Sequence, residues 1–196
     1  GSNVETFLAL GARVVAVEPR GECVSRLRRR WGSSSRVTIV AAAAGARTGR
    51  AMLHLSTSEQ VATLSPGFLR AYPGGDGLAW SSSAEVPVVT LADLAREHGD
   101  PVFCKVDAEG WDEEVLAGLG RLPRALCFES LGRLPEVTEA CVRLLARRGE
   151  AVFNYRVSDQ PSFERTEWVG PGEIVKLLVA RPSRPAHADV FVRFPG

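Results

Sequence analysis

Arg13-Val14-Val15-Ala16-Val17-Glu18-Pro19 is an apolar run that halts at a carboxylate and a proline. It does not alternate apolar with polar residues, as a strand with one wet face does. A strand buried on both faces reads this way, which points to a parallel sheet covered by helices. Three further runs read alike: Val37-Thr38-Ile39-Val40-Ala41, Val102-Phe103-Cys104-Lys105-Val106 and Ala125-Leu126-Cys127-Phe128. Helical patterns separate them, so the expected class is α/β.

The helices show in their apolar spacing. Val4, Phe7 and Leu8 share one face, and Gly11 stops that segment. Glu22 to Trp31 places Cys23, Leu27 and Trp31 at i, i+4 and i+8. Thr90 caps a helix from Leu91 to His98. Asp112-Glu113-Glu114 puts acids at a helix start, with Val115, Leu116 and Leu119 as its buried stripe. Pro135 opens another helix, with Val137, Cys141, Leu144 and Leu145 on one face and Gly149 at its end. A last helix covers Glu173 to Ala180. Two regions depart from simple alternation. Ala51 to Thr57 reads as a half-buried strand. Residues 58 to 85, rich in Ser, Gly and Pro, read as a long loop with a turn of helix near Phe68. Such a loop is a candidate substrate lid or a plain insert. Val86 to Val89 is a short strand. Val152 to Val157 and Asp189 to Phe194 alternate, as strands near an antiparallel edge do.

Composition sets the outer limits. The chain has 196 residues, 45% hydrophobic and 24% charged, with 24 basic against 23 acidic side chains and a formal charge of +1. That suits one domain over residues 1–196, and the apolar content excludes disorder. No apolar run approaches ~18 residues, so no membrane-spanning helix is expected. Balanced, dispersed charge disfavours nucleic acid as a partner. Arg26, Arg28, Arg29 and Arg30 read as a phosphate patch or, preferably, as a solvated helix face near the negative dipole end. Cys23, Cys104, Cys127 and Cys141 form no CxxC pair and read as free thiols of a reduced compartment. No signal-peptide pattern opens the sequence, so a cytoplasmic protein is expected.

In open α/β sheets, ligands bind beyond the carboxyl ends of the strands. Three of the four runs meet acids there: Glu18-Pro19, Asp107-Ala108-Glu109-Gly110 and Glu129-Ser130. One such acid alone is as often a helix cap. Three on one edge favour a polar cleft. Glu18 is placed to accept two hydrogen bonds from ribose hydroxyls, with Pro19 turning its side chain into the crevice. Asp107 and Glu109 stand two apart, on one side of an extended segment, and Gly110 permits a tight turn. Such a pair can hold a divalent cation, act as a general base or position an amine. Lys105 joins the pair or neutralises it; a buried Lys–Asp pair tying strand to helix is the plainer alternative. His54, His98 and His187 lack metal-ligand spacing, and there is no GxSxG elbow, Walker loop or HExxH.

Three blocks together carry a resemblance. Gly11-Ala12-Arg13-Val14-Val15-Ala16-Val17-Glu18-Pro19 is the first, and Thr90-Leu91-Ala92-Asp93-Leu94 the second. The third is Lys105-Val106-Asp107-Ala108-Glu109-Gly110 with Val115-Leu116-Ala117-Gly118-Leu119. They resemble the FkbM-type S-adenosylmethionine-dependent methyltransferases, whose pattern has a VxAVEP strand end, a TLxxL helix start and a KxDxEGxExxVLxGL block. Asp112 or Glu113 stands near the family's Glu after the glycine. The resemblance covers most of the chain. It implies the class I methyltransferase fold, a Rossmann-like, mostly parallel sheet with one antiparallel strand and helices on both faces. It also implies Glu18 and Pro19 at the ribose of S-adenosylmethionine, with Ala42 and Ala43 flanking the adenine.

The family opens with a strand and a glycine-rich turn, Asp-x-Gly-Ala-Asn-x-Gly, that approaches the methionine end of the cofactor. Gly1 would be the last glycine of that turn, with Ser2 to Leu10 as the following helix. Alternatively, Gly1-Ser2 is a cloning remnant and Asn3 begins the natural chain. Gly1, Asn3 and Asp107 join the expected cofactor contacts. Either way, the first strand, expected between the Val14 and Val102 strands, is not in this sequence. The expected activity is methyl transfer to a hydroxyl of a sugar or natural product, a small-molecule or carbohydrate acceptor. Asp107 would serve as base or metal contact, with Glu109 and Lys105 as further catalytic residues. A divalent cation, if held, would sit on Asp107, Glu109 and Glu129. Two other readings stay open: a nicotinamide-dependent oxidoreductase, whose ribose Glu18 would suit equally, and a non-catalytic Rossmann-like binding module. Trp80, Trp111, Trp168, Phe68 and Tyr72 can stack on a sugar ring or pack the core and lid.

Overall fold

The computed structural model describes residues 2–59, 61–75, 78–157, 160–180 and 185–195. In chain order the elements are α1 (Ser2–Ala9), β1 (Val14–Val17), α2 (Gly21–Trp31), β2 (Val37–Val40), β3 (Ala43–Ala44), β4 (Gly49–Ser56), β5 (Ala62–Thr63), α3 (Pro66–Ala71) and β6 (Trp80–Val89). Then come α4 (Leu91–His98), β7 (Phe103–Lys105), α5 (Asp112–Ala117), β8 (Ala125–Leu131), α6 (Pro135–Arg148), β9 (Val152–Val157), α7 (Pro171–Val175) and β10 (His187–Arg193). The expected last helix is α7 continued by a π-helical turn over Lys176–Ala180. Among these residues no helix is long and apolar enough to cross a membrane.

The strands form three sheets. β1 and β2 run parallel, Val14 opposite Val37. The second sheet has the order β7-β8-β10-β9. There β7 and β8 are parallel, and β10 lies antiparallel to both β8 and β9. The third has the order β3-β6-β4-β5, with β4 antiparallel to both neighbours. The expected single sheet with one antiparallel strand is therefore corrected: the described strands make three sheets, and antiparallel pairing recurs between Gly49 and Val89. Part of the expected loop is strand. Trp80–Glu85 pairs with β4, and Ser81 to Glu85 face solvent. Backbone pairing holds such a strand whatever its side chains, so a run of serines read as loop composition.

Burial on both faces holds for β8, within the second sheet, and fails for β1 in the first. Leu126, Cys127 and Phe128 of β8 are all 0% exposed. They pack with Val190 and Val192 of β10, Phe153 of β9, Leu116 of α5 and Cys141 and Leu145 of α6. Each large side chain there contributes roughly 1.5–3 kcal/mol by leaving water. In β1, Val15 is 39% exposed, because that strand pairs on one side only among the described residues. Strand β7 likewise has β8 as its one partner, and Val102 just before it is 73% exposed. Helix α1 reaches across: Phe7 meets Phe103 at 5.7 Å between ring centroids.

Thr90 caps α4 as expected, its hydroxyl accepting from the Asp93 N–H at 3.0 Å. The arginines of α2 divide: Arg26 pairs with Glu59 and Arg30 with Glu5, while Arg28 and Arg29 are exposed. The four cysteines are free, Cys127 and Cys141 buried.

Candidate functional site

Strand β7 ends at Lys105, and the chain then makes the turn that carries the acids. Asp107 is exposed and Glu109 half-buried. Glu109 and Gly110 both take left-handed backbone, with φ 51° and 80°. Thr63 donates its hydroxyl to the Glu109 carbonyl at 2.7 Å, pinning the turn to β5. A side chain at Gly110 would lie 2.8 Å from Leu134 Cδ1 and 3.3 Å from Phe68. Gly110→Ala should therefore lose roughly 1–3 kcal/mol from strain and overpacking together. A thermal melt checks this, and an unchanged Tm would mean the turn relaxes freely.

Glu129 comes from the neighbouring strand. The expectation that β8 stops before it is corrected, since β8 continues to Leu131 and pairs Glu129 with Asp189 of β10. Two acids directly across a ladder repel, and each has a basic residue beside it. Asp189 receives Lys105 at 2.9 Å and Arg156 at 2.5 Å. Glu129 has His187 Nδ1 at 3.6 Å. Asp107, Glu109 and Glu129 each offer an oxygen within 4.8 Å of the others.

The electrostatics follow from burial and crowding. Desolvation, then the charges of Asp107 and Asp112, push Glu109 up to about 7. Desolvation and the charges of Asp107, Glu109 and Asp112 push Glu129 up to about 9. Asp112, the first residue of α5, is fully buried and raised to about 7, by desolvation first and Asp107 second. Burial alone would lower the Lys105 ammonium; Asp107 at 3.3 Å and Asp189 more than offset it and hold its pKa up. Lys105 is thus a strut between the acidic turn and β10, close to the plainer reading of its chemistry, with Asp189 as its nearer partner.

Glu18 stands apart from this cluster, at the end of a strand in another sheet. It is half-buried, and desolvation raises its pKa. Its Oε1 accepts the Arg20 N–H at 2.8 Å across Pro19. Arg20 in turn donates to the Ser58 carbonyl at 2.7 Å, joining this strand end to the segment after β4. Asn3 is exposed in the first turn of α1, and Gly1 lies outside the described residues. Ala42 and Ala43 are each 3% exposed, and Ala43 sits in the cluster of Leu53, Val86 and Val88. Their side chains offer no surface, because β3 pairs with β6 and carries Ala43 inward.

The aromatic residues turn out to be packed. Phe68 stacks on Tyr72 at 4.5 Å, and Arg133 lies 5.0 Å from the Tyr72 ring centroid. Trp80 meets Phe68 edge-on and donates its N–H to the Tyr72 carbonyl at 2.8 Å. Trp168 carries Arg193 at 4.1 Å over its ring. Tyr72 nevertheless belongs to the rim of the acidic site: after desolvation, the charges of Glu129 and Glu109 raise its pKa against the opposing effect of Arg133.

Residues 2–150 match the family model described as the methyltransferase FkbM domain. The chain belongs to the FkbM methyltransferase family. No curated protein and no solved structure gives a match. The FkbM match includes Glu18, Lys105, Asp107, Glu109, Asp112 and Glu129, and ends before β9 and β10. Arg156 and Asp189 lie beyond it, and reading the sequence alone misses both. The signal for Asp189 was a carboxylate inside the apolar run Ala188 to Val192. Asp112 reads from the sequence as a helix-start acid near the family's Glu after the glycine, and nothing in its spacing shows that it is wholly buried.

Proposed function

We propose that this FkbM domain is an S-adenosylmethionine-dependent O-methyltransferase of the class I, Rossmann-like fold, acting on a hydroxyl of a sugar or natural product. The observation that supports the reading best is the acidic cluster of Asp107 and Glu109, just after β7, with Glu129 inside the neighbouring parallel strand β8. When bound, S-adenosylmethionine supplies a methyl group on a sulfonium, open to in-line attack. The chain's part is to orient the two reactants and to take up the hydroxyl proton. Glu18 fits the cofactor's ribose: among the described residues its Oε1 alone is engaged, by a backbone N–H. Ala42 and Ala43 would offer the adenine only backbone groups. Asp107, the exposed member of the cluster, meets the acceptor, and Lys105 holds it in place at 3.3 Å.

Glu18→Ala should weaken S-adenosylhomocysteine binding by about 1–3 kcal/mol, a 5- to 150-fold rise in Kd, if charge-assisted bonds to the ribose are lost. Calorimetric titration measures it, with NAD as the parallel ligand. An unchanged Kd rules out the ribose role. Binding of NAD in place of S-adenosylhomocysteine supports the oxidoreductase, and binding of neither supports a module without this cofactor chemistry.

A further inference from the structure

We propose that Asp107, Glu109 and Glu129 hold one hard divalent cation of the Mg2+, Mn2+ or Ca2+ kind. Six-coordinate oxygens around Mg2+ lie ~3 Å apart when adjacent and ~4.2 Å apart when opposite, rising to ~4.8 Å around Ca2+. The three carboxylates bring their oxygens within 4.8 Å of one another, the span those shells need. The ligands come from two elements that the fold fixes firmly. Glu109 is held by the Thr63 hydroxyl on its carbonyl and by the packing of Gly110, and Glu129 lies inside a paired strand.

Asp112 points to the same ligand independently. It is 0% exposed, and neither carboxylate oxygen completes a hydrogen bond, although the Glu129 and Ala108 N–H groups lie near enough to favour its charge. Its charge acts directly on Glu109 and Glu129. Oε2 of Glu129 is likewise buried without a partner. Burying that much negative charge costs several kcal/mol unless a cation answers it. Among the described residues, the basic side chains beside the cluster answer it incompletely. Lys105 is shared between Asp107 and Asp189, and His187 reaches Glu129 from the exposed rim.

The donor set is all oxygen, which selects hard ions over zinc or copper. Three monodentate carboxylates leave about three positions of an octahedral shell open. Asp107 is on the exposed side, so those positions face water or two neighbouring oxygens of an acceptor, such as a vicinal diol. The cation site rests on geometry; only its use on an acceptor rests on the methyltransferase reading.

The test titrates the metal-stripped full chain with Tb3+, reading emission sensitised by Trp111, which sits between Gly110 and Asp112 in the chain. Mg2+, Mn2+ and Ca2+ compete in turn. Saturable emission is expected, with dissociation constants on the order of 10⁻⁵–10⁻³ M for the divalent ions. Glu109→Gln and Glu129→Gln should each weaken binding at least tenfold, and Asp112→Asn by a smaller factor through charge alone. Glu136→Gln, an exposed acid on α6, should change nothing. Circular dichroism confirms that each variant is folded. Absence of saturable emission up to millimolar ion overturns the site, as does binding that is indifferent to both Glu109→Gln and Glu129→Gln. Titrating S-adenosylhomocysteine into the same metal-stripped sample separates the two proposals. Cofactor binding without cation binding overturns this site alone. Cation binding without cofactor binding upholds the site and removes the methyl-transfer reading.

Discussion

Asp107→Asn should reduce methyl transfer by ~10²–10⁴ in kcat while leaving the Kd for S-adenosylhomocysteine within about twofold. Asparagine keeps the shape of the side chain and removes its charge. Asp107 is exposed, so the change opens no cavity. Lys105 loses the partner at 3.3 Å and keeps Asp189 at 2.9 Å, so the strut between β7 and β10 survives. What disappears is the carboxylate that meets the acceptor's proton, or the ion that stands in its place. The loss should therefore appear in turnover rather than in cofactor affinity. Glu18→Ala should show the converse pattern, with weaker cofactor binding and near-normal turnover at saturation. A product assay by mass spectrometry, run beside calorimetry, reads both quantities. Asp107→Asn with turnover within threefold of the parent would remove Asp107 from the chemistry. An equal loss in Glu18→Ala at saturating cofactor would place Glu18 nearer the reacting atoms.

The parts of this site legible in the sequence are those set by local rules. Asp107 and Glu109 stand out because a buried strand ending in an acid is a pattern within one stretch of chain; Glu18 shows the same pattern and stands apart from them. Thr90 was found because capping needs three residues and no partner. Glu129 was found but misplaced, since β8 runs on through it and only the pairing with β10, some sixty residues away, shows that. Arg156 and Asp189 depend on the same long-range register. The strand over Trp80–Glu85 escaped because its side chains carry no periodicity; its order comes from backbone pairing with β4. Of the two readings open for the aromatic residues, the packed one holds for Phe68, Tyr72 and Trp80. Tyr72 has the chemistry of a sugar platform, but Phe68 and Arg133 occupy its ring. Composition names the surfaces a chain could offer, and packing decides which remain open.

The acidic turn also makes stability run against the usual direction. In the metal-free protein, thermal stability should rise as pH falls from about 9 toward about 5. Glu109 is raised to about 7, Asp112 to about 7 and Glu129 to about 9, each by burial first. An unfolded chain titrates these groups near 4, so across the interval between, the native state binds more protons than the unfolded one. Stability then falls as pH rises, because the slope follows the difference in bound protons. Two groups contributing even ~1.5 kcal/mol each would move Tm by roughly 6–12 °C in a domain of this size. Below about pH 4 the trend should reverse. Asp189, burial notwithstanding, is held low by Lys105 and Arg156, and the stability it contributes is lost as it protonates. Asp112→Asn isolates the main contributor. It should raise Tm at pH 8.5, where the parent carries a buried charge, and leave Tm at pH 5 nearly unchanged. A saturating divalent cation should have the same signature, stabilising the parent at pH 8.5 and not at pH 5, since binding lends stability only where the carboxylates are free to ionise. A Tm that climbs steadily from pH 5 to pH 9 in the metal-stripped protein would mean that the three acids are solvated in solution and that the cluster opens. Equal effects of Asp112→Asn at both pH values would assign its role to packing rather than charge.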